Sequence, residues 1–130
     1  MKKSIRKIVV AQKTFLWKVN DKVIYENNLP IAVSRILIYP EFNQQSKIII
    51  MVKIWDDMIA GNPIKTGYKT NKLSKEVILN LNFPNVIKDI IEYFLQSDWD
   101  VNGKGSKTID DGLTILAKIG YDVSKLYPNV

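Results

Sequence analysis

Three stretches of this chain carry residue types and spacings that chemistry can use. Asp98-Trp99-Asp100-Val101-Asn102-Gly103 has the D-x-D-x-N-G spacing that opens a calcium loop, where oxygens at alternate positions wrap one cation. In that register the twelfth position is Ile109, which has no carboxylate. Counting from Asp100 places Asn102, Gly105, Thr108 and Asp111 at positions three, six, nine and twelve, but Lys104 falls at five and Lys107 at eight. An ammonium at a ligand position repels a divalent ion. Segment 98–111 therefore reads first as a turn between two helices, with Thr108 and Asp111 in a capping-box spacing, and second as a degenerate calcium-binding loop.

Asp56 and Asp57 form the second candidate. Adjacent carboxylates can share a magnesium ion or divide acid and base roles. They follow an apolar run, however, and neighbours on a continuing strand point to opposite faces. The third stretch interleaves Lys65, Tyr68, Lys69, Lys72 and Lys75. Cations around an aromatic ring suit either a partner protein or a phosphate backbone with a base stacked on the tyrosine. Trp55 opens this stretch and is the best of the three tryptophans for an interface, while Trp17 and Trp99 read as packing residues.

Much else is excluded. The 130 residues contain neither cysteine nor histidine. Disulfides, zinc-thiolate sites, thiol nucleophiles, His-ligated metals and Ser-His-Asp triads are ruled out. No enzyme, cofactor or metal site is expected. Hydrophobic residues make up 46% of the chain and charged residues 25%, the balance of a globular protein that buries its own core. Lys2, Lys3, Arg6 and Lys7 precede only Ile8–Ala11 before Gln12-Lys13, too short a run for a signal peptide. No apolar stretch reaches membrane length. The expectation is a cytoplasmic protein of one domain, residues 1–130. Its net charge of +6 is uneven: residues 1–22 carry +6 and 62–84 carry +3, against −3 over 85–112. The two basic segments, 1–22 and 62–75, bind an anionic partner together only if the fold brings them to one face.

The elements that position these residues are legible from periodicity. Ile5–Ala11 and Thr14–Asn20 read as a hairpin around Gln12-Lys13, with Val10 facing Phe15 and Ile8 facing Trp17. Asn20-Asp21 reads as a turn before a short strand at Lys22–Glu26. Residues 27–30 break the chain. Ala32–Tyr39 is a strand, and Lys47–Trp55 is the central one. Asp56–Ser74 reads as a long loop, and Glu76–Leu81 as a further strand. From Asn85 to Ser97, Val86, Ile87, Ile90, Ile91, Phe94 and Leu95 recur at helical spacing. Pro84 suits its first turn, and Asn82 or Asn85 its cap. A second helix is expected from about Thr108 to Ile119, stopped by Gly120.

The run K-I-V-V followed by F-L-W-K-V, with P-N-V-I-K-D-I-I-E-Y-F-L-Q-S-D-W-D later, resembles a group of small bacterial proteins. These share an aromatic-x-Trp-x-Val hairpin and a Pro-x-x-Val…Ile-Ile helix that ends in Gly-Trp. The resemblance covers Ile5–Val19 and Pro84–Asp100, with Gln12 or Lys13 replacing the group's turn glycine and Asp98 the glycine before Trp99. It implies the fold and transfers no functional residue. The register from Asp100 likewise resembles a dockerin-type calcium loop, though dockerins pair two such loops and this chain has one.

The expected fold class is α+β: an antiparallel sheet of four to six strands, one amphipathic helix on a face and a second helix near the C-terminus. The expected function is non-enzymatic binding of a macromolecular partner, as an immunity or antitoxin-like protein or an adaptor. The contact residues would be Trp55, Asp56, Asp57, Lys65, Tyr68, Lys69 and Lys72. The alternative is a nucleic-acid-binding module that uses segments 1–22 and 62–75.

Overall fold

The computed structural model describes residues 5–26, 28–54, 61–62, 67–97 and 99–123. The architecture is α+β. Five strands form the main sheet: β1 (Arg6–Val10), β2 (Lys13–Glu26), β3 (Leu29–Pro40), β4 (Ser46–Ile54) and, after the excursion described below, β8 (Gly105–Ile109). Their order is β1-β2-β3-β4-β8, so β3 rather than β4 is central. The first four strands run antiparallel, and β8 joins β4 in parallel.

Between β4 and β8 lie β5 (Gly61–Asn62), β6 (Gly67–Lys72) and β7 (Lys75–Leu79), which form a separate three-stranded sheet, and helix α1 (Pro84–Ser97). Helix α2 (Gly112–Ile119) follows β8. Both helices cover one face of the main sheet. Val10, Phe15, Trp17, Val19, Ile36 and Ile38 share one buried cluster with Ile87, Ile90 and Ile91 of α1 and Leu113 and Leu116 of α2. The rims of this layer are closed by cations laid over aromatic rings. The Arg6 guanidinium sits 4.5 Å from the Trp17 ring and Lys107 Nζ 5.9 Å from the Phe94 ring.

Several local expectations are corrected. The first turn is Ala11-Gln12, with φ of 51° and 65°, the left-handed pair that a type I′ hairpin turn needs. Ile8 therefore pairs with Phe15 and Arg6 with Trp17, two residues from the expected register. Burial cannot separate the two registers, because both turn the odd residues of β2 inward; the turn decides. Alanine and glutamine are poor residues for positive φ, at about 1 kcal/mol or more each. Replacing them by Asn-Gly should raise stability by about 1 kcal/mol or more, read as a higher Tm.

Asn20 and Asp21 are not a turn. They pair with Arg35 and Ser34 within the unbroken ladder of β2 and β3. That ladder reverses just beyond Glu26, where Asn28 takes a φ of 63°. The stretch 56–74 is not one loop, since it contains β5, β6 and a second positive-φ turn at Leu73-Ser74. A strand stands where a second helix was expected to begin: Thr108 belongs to β8, and α2 starts only at Gly112. The cap is Asp111, which accepts from the Thr114 amide at 3.3 Å and the Thr114 hydroxyl at 2.7 Å.

β8 removes the helix–loop–helix frame that a calcium loop requires. Asp98 lies outside the described residues. Asp100 Oδ1 accepts from the Asn102 amide and Asp111 caps α2, so both acids are used locally. Among the described residues no three acidic side chains gather as a metal site would require. No helix among them is long and apolar enough to cross a membrane.

Candidate interaction surface: the outer face of the main sheet

Strand alternation fixes what lies opposite the helices. Residues directly across from each other in the ladders share a face. Starting from buried Trp17, Ile38 and Ile48, the outward positions are the odd ones on β1, β3 and β4 and the even ones on β2 and β8. Six cations occupy them: Lys7, Lys18, Lys22, Arg35, Lys47 and Lys53. Among the residues whose side chains are described, no aspartate or glutamate takes an outward position on these strands. The outer face thus carries six of the chain's 19 lysines and arginines.

The ladders arrange these cations in rows. Lys7 stands beside Leu16, and Leu16 beside Tyr39. The next row reads Lys18, Leu37, Ile49, Thr108. Asn20, Arg35 and Met51 follow, then Lys22, Val33 and Lys53; Val33 and its outward neighbour Ile31 are each only 2% exposed, so the face is covered at that end and open around Leu37. Leu16, Leu37, Ile49 and Met51 make an apolar centre, partly exposed, with cations around and between them. Lys7 also meets Glu41 in an exposed ion pair at 2.9 Å, worth little in water. Tyr39 is the one aromatic residue at an outward position of the main sheet and is only 6% exposed. The face therefore presents charge and aliphatic surface without a stacking ring.

The expected contact residues are placed otherwise. Trp55, Asp56, Asp57 and Lys65 lie outside the described residues. Tyr68 and Lys69 fall on β6, paired with Leu79 and Ile78 of β7. Lys72 is committed to the fold: its ammonium is 2.6 Å from Asp89 Oδ2 on α1, and the Tyr121 hydroxyl donates to the same oxygen at 2.9 Å. The described cations of the two basic segments are placed apart. Lys7, Lys18 and Lys22 reach the outer face, Arg6 lies over Trp17 and donates to the Asn82 carbonyl, and Lys72 serves α1. The partners that complete the patch, Arg35, Lys47 and Lys53, come from β3 and β4. Trp17 is core, and Trp99 packs 5.4 Å from Phe15 while donating to Ser46 Oγ at 2.9 Å.

Burial, and then the hydrogen bond and charge of Asp89, push the Tyr121 phenol above its ordinary range. An unfolded tyrosine ionises near pH 10 and the folded one only above it, so its contribution to stability is complete below about pH 10 and falls as pH rises further. Denaturant melts at rising pH should show a steeper alkaline loss for the wild type than for Tyr121→Phe.

Comparison of the chain with protein-family models, curated proteins and solved structures finds no match.

Proposed function

We infer that this chain is a non-enzymatic, cytoplasmic binding protein that docks an acidic protein partner on the outer face of its main sheet. An immunity, antitoxin-like or adaptor role is one form of that activity. The observation that carries the reading is the six-cation face with an aliphatic centre, opposite the helix-covered core. Protein interfaces combine a desolvated apolar centre with a polar rim, and a one-sign rim steers a partner of opposite sign. The residues around Trp55 and Tyr68 remain a second place of contact in this proposal.

Nucleic acid is the alternative reading, favoured by the same six cations. Against it stands the burial of Tyr39, the one aromatic at an outward position of the main sheet, since single-strand binders stack bases on exposed rings.

The test begins with capture from the native lysate by the immobilised protein. The captured partner is then purified and titrated by calorimetry against wild type and Leu37→Lys. The expected result is an acidic protein that binds wild type and loses at least tenfold in affinity for the variant. A purified partner that binds both equally, or an oligonucleotide that binds with a steep salt dependence and ignores Leu37→Lys, overturns the protein-docking reading.

A further inference from the structure

We propose that Asn102 is a site of spontaneous modification, whose side chain closes on the backbone, becomes isoaspartate and loosens β8 from β4. The chain holds one Asn-Gly pair, Asn102-Gly103, and one Asp-Gly pair, Asp111-Gly112. In such pairs the glycine nitrogen reaches the preceding side-chain carbonyl easily, because no Cβ stands in the way. The structure separates the two pairs. Asp111 is held by Thr114 through both carboxylate oxygens, and a Cβ on Gly112 would lie 2.5 Å from Val52 Cγ2. That pair is packed against β4 and has no room to close a ring. Asn102 is exposed, and among the described residues nothing hydrogen-bonds its side chain. It sits third in the turn Asp100–Gly103, where aspartate suits the first position and glycine the last. The Gly103 amide donates to the Asp100 carbonyl at 3.0 Å. A single turn bond of modest net strength therefore stands between Gly103 N and attack.

The step is an internal displacement. Gly103 N bonds to Asn102 Cγ, the Cγ–Nδ2 bond breaks, and the proton of Gly103 N leaves with Nδ2 as ammonia. Water then opens the succinimide ring. Addition at Cγ gives aspartate. Addition at the backbone carbonyl gives isoaspartate, whose main chain runs through Cγ and is one methylene longer. Either product sets a new carboxylate in the turn that Asp100 begins. The extra methylene falls at a sensitive place. Asn43 Nδ2 donates to the Val101 carbonyl at 3.1 Å and to the Gly103 carbonyl at 2.8 Å, one on each side of Asn102. With the Gly105 amide on the Gln45 carbonyl at 2.8 Å, this clamp sets β8 in register on β4. Lengthening the chain between the two carbonyls costs the clamp one of its bonds.

The test ages the full chain in warm, mildly alkaline buffer, beside Asn102→Gln, whose longer side chain needs a larger ring, and Asn102→Glu. Peptide mass spectrometry maps isoaspartate, and NMR follows amide exchange. Isoaspartate should form at residue 102 at least tenfold faster than at Asn43 or Asp111, and Asn102→Gln should form none there. Amides of residues 105–109 should exchange at least tenfold faster in the converted chain. Asn102→Glu, which adds the charge without the methylene, should exchange there as the unaged protein does. The site assignment fails if residue 102 converts no faster than Asn43 or Asp111. The loosening fails if exchange over 105–109 is unchanged by conversion, or if Asn102→Glu reproduces it. None of these outcomes involves a partner, so the outer-face reading is judged separately, by Leu37→Lys.

Discussion

Ile91→Lys should leave no cooperative thermal transition at neutral pH, and its amide spectrum should collapse to that of an unfolded chain. Ile91 is 0% exposed and lies in the cluster that joins α1 to the inward face of the main sheet. The substitution removes a well-packed side chain, worth about 1.5–3 kcal/mol in burial alone. It also places an ammonium inside an apolar cluster, a cost of several kcal/mol more. Domains of this size are stable by only about 5–15 kcal/mol. The matched change on the other side of the sheet is Leu37→Lys. Leu37 points outward, between Lys18 and Ile49, and is already partly exposed. There the new ammonium stays in water, and Tm should move by only a few degrees. Circular dichroism melts of the two variants check the assignment of faces: unfolding by both would mean that the outer face is buried.

The second large effect is on binding. Lys18→Glu combined with Arg35→Glu should lower affinity for the acidic partner by about 100-fold or more, with stability nearly unchanged. Each reversal replaces an attraction by a repulsion at a desolvated contact. Close interfacial charge pairs couple by about 1.5 kcal/mol or more each, and about 3 kcal/mol in all corresponds to roughly two orders of magnitude. Arg35 is exposed and Lys18 partly so, and the ladder puts them diagonally adjacent around Leu37. Lys72→Glu is the contrasting control. It breaks the contact with Asp89 and should lower Tm while leaving affinity for the partner within a few-fold. Calorimetry on all three proteins separates the two kinds of cation.

The difference between these cations shows what a linear chain reveals. Ile87, Ile90, Ile91 and Phe94 recur at helical spacing, and α1 lies where that spacing puts it, because a helix's inward stripe is written locally. The alternation of Phe15, Trp17 and Val19 with Leu16 and Lys18 likewise marks β2 as a strand with one buried face. The patch is different. Arg35 follows Ser34, a buried hydroxyl, and Lys47 and Lys53 bracket an apolar run. Nothing local says that they share a face with Lys7, Lys18 and Lys22. That depends on the registers of three ladders, and those registers are set by turns such as Ala11-Gln12 whose residues are poor turn formers. Thr108 and Asp111 carry the spacing of a helix cap, yet pairing of β8 with β4 claims Thr108 for a strand and leaves Asp111 to cap alone. Lys72 resembled Lys69 and Lys75 in composition, and only the tertiary fold gives it Asp89 and Tyr121 as neighbours.

α2 reaches the sheet by a close approach that composition does not display. A Cβ on Gly112 would lie 2.5 Å from Val52 Cγ2 and 2.9 Å from the Met51 carbonyl oxygen. The first turn of α2 thus rests on the backbone of β4, the strand that carries Ile49 and Met51 outward. The same strand joins the core to the proposed docking surface.

Hydrogen–deuterium exchange on the complex with the purified partner tests that surface most directly. The expected result is new protection along β2, β3 and β4, centred on residues 16–22, 33–37 and 47–53, with exchange across α1 and α2 unchanged. Protection confined to residues 55–72, with β2 to β4 exchanging as in the unbound protein, would contradict it.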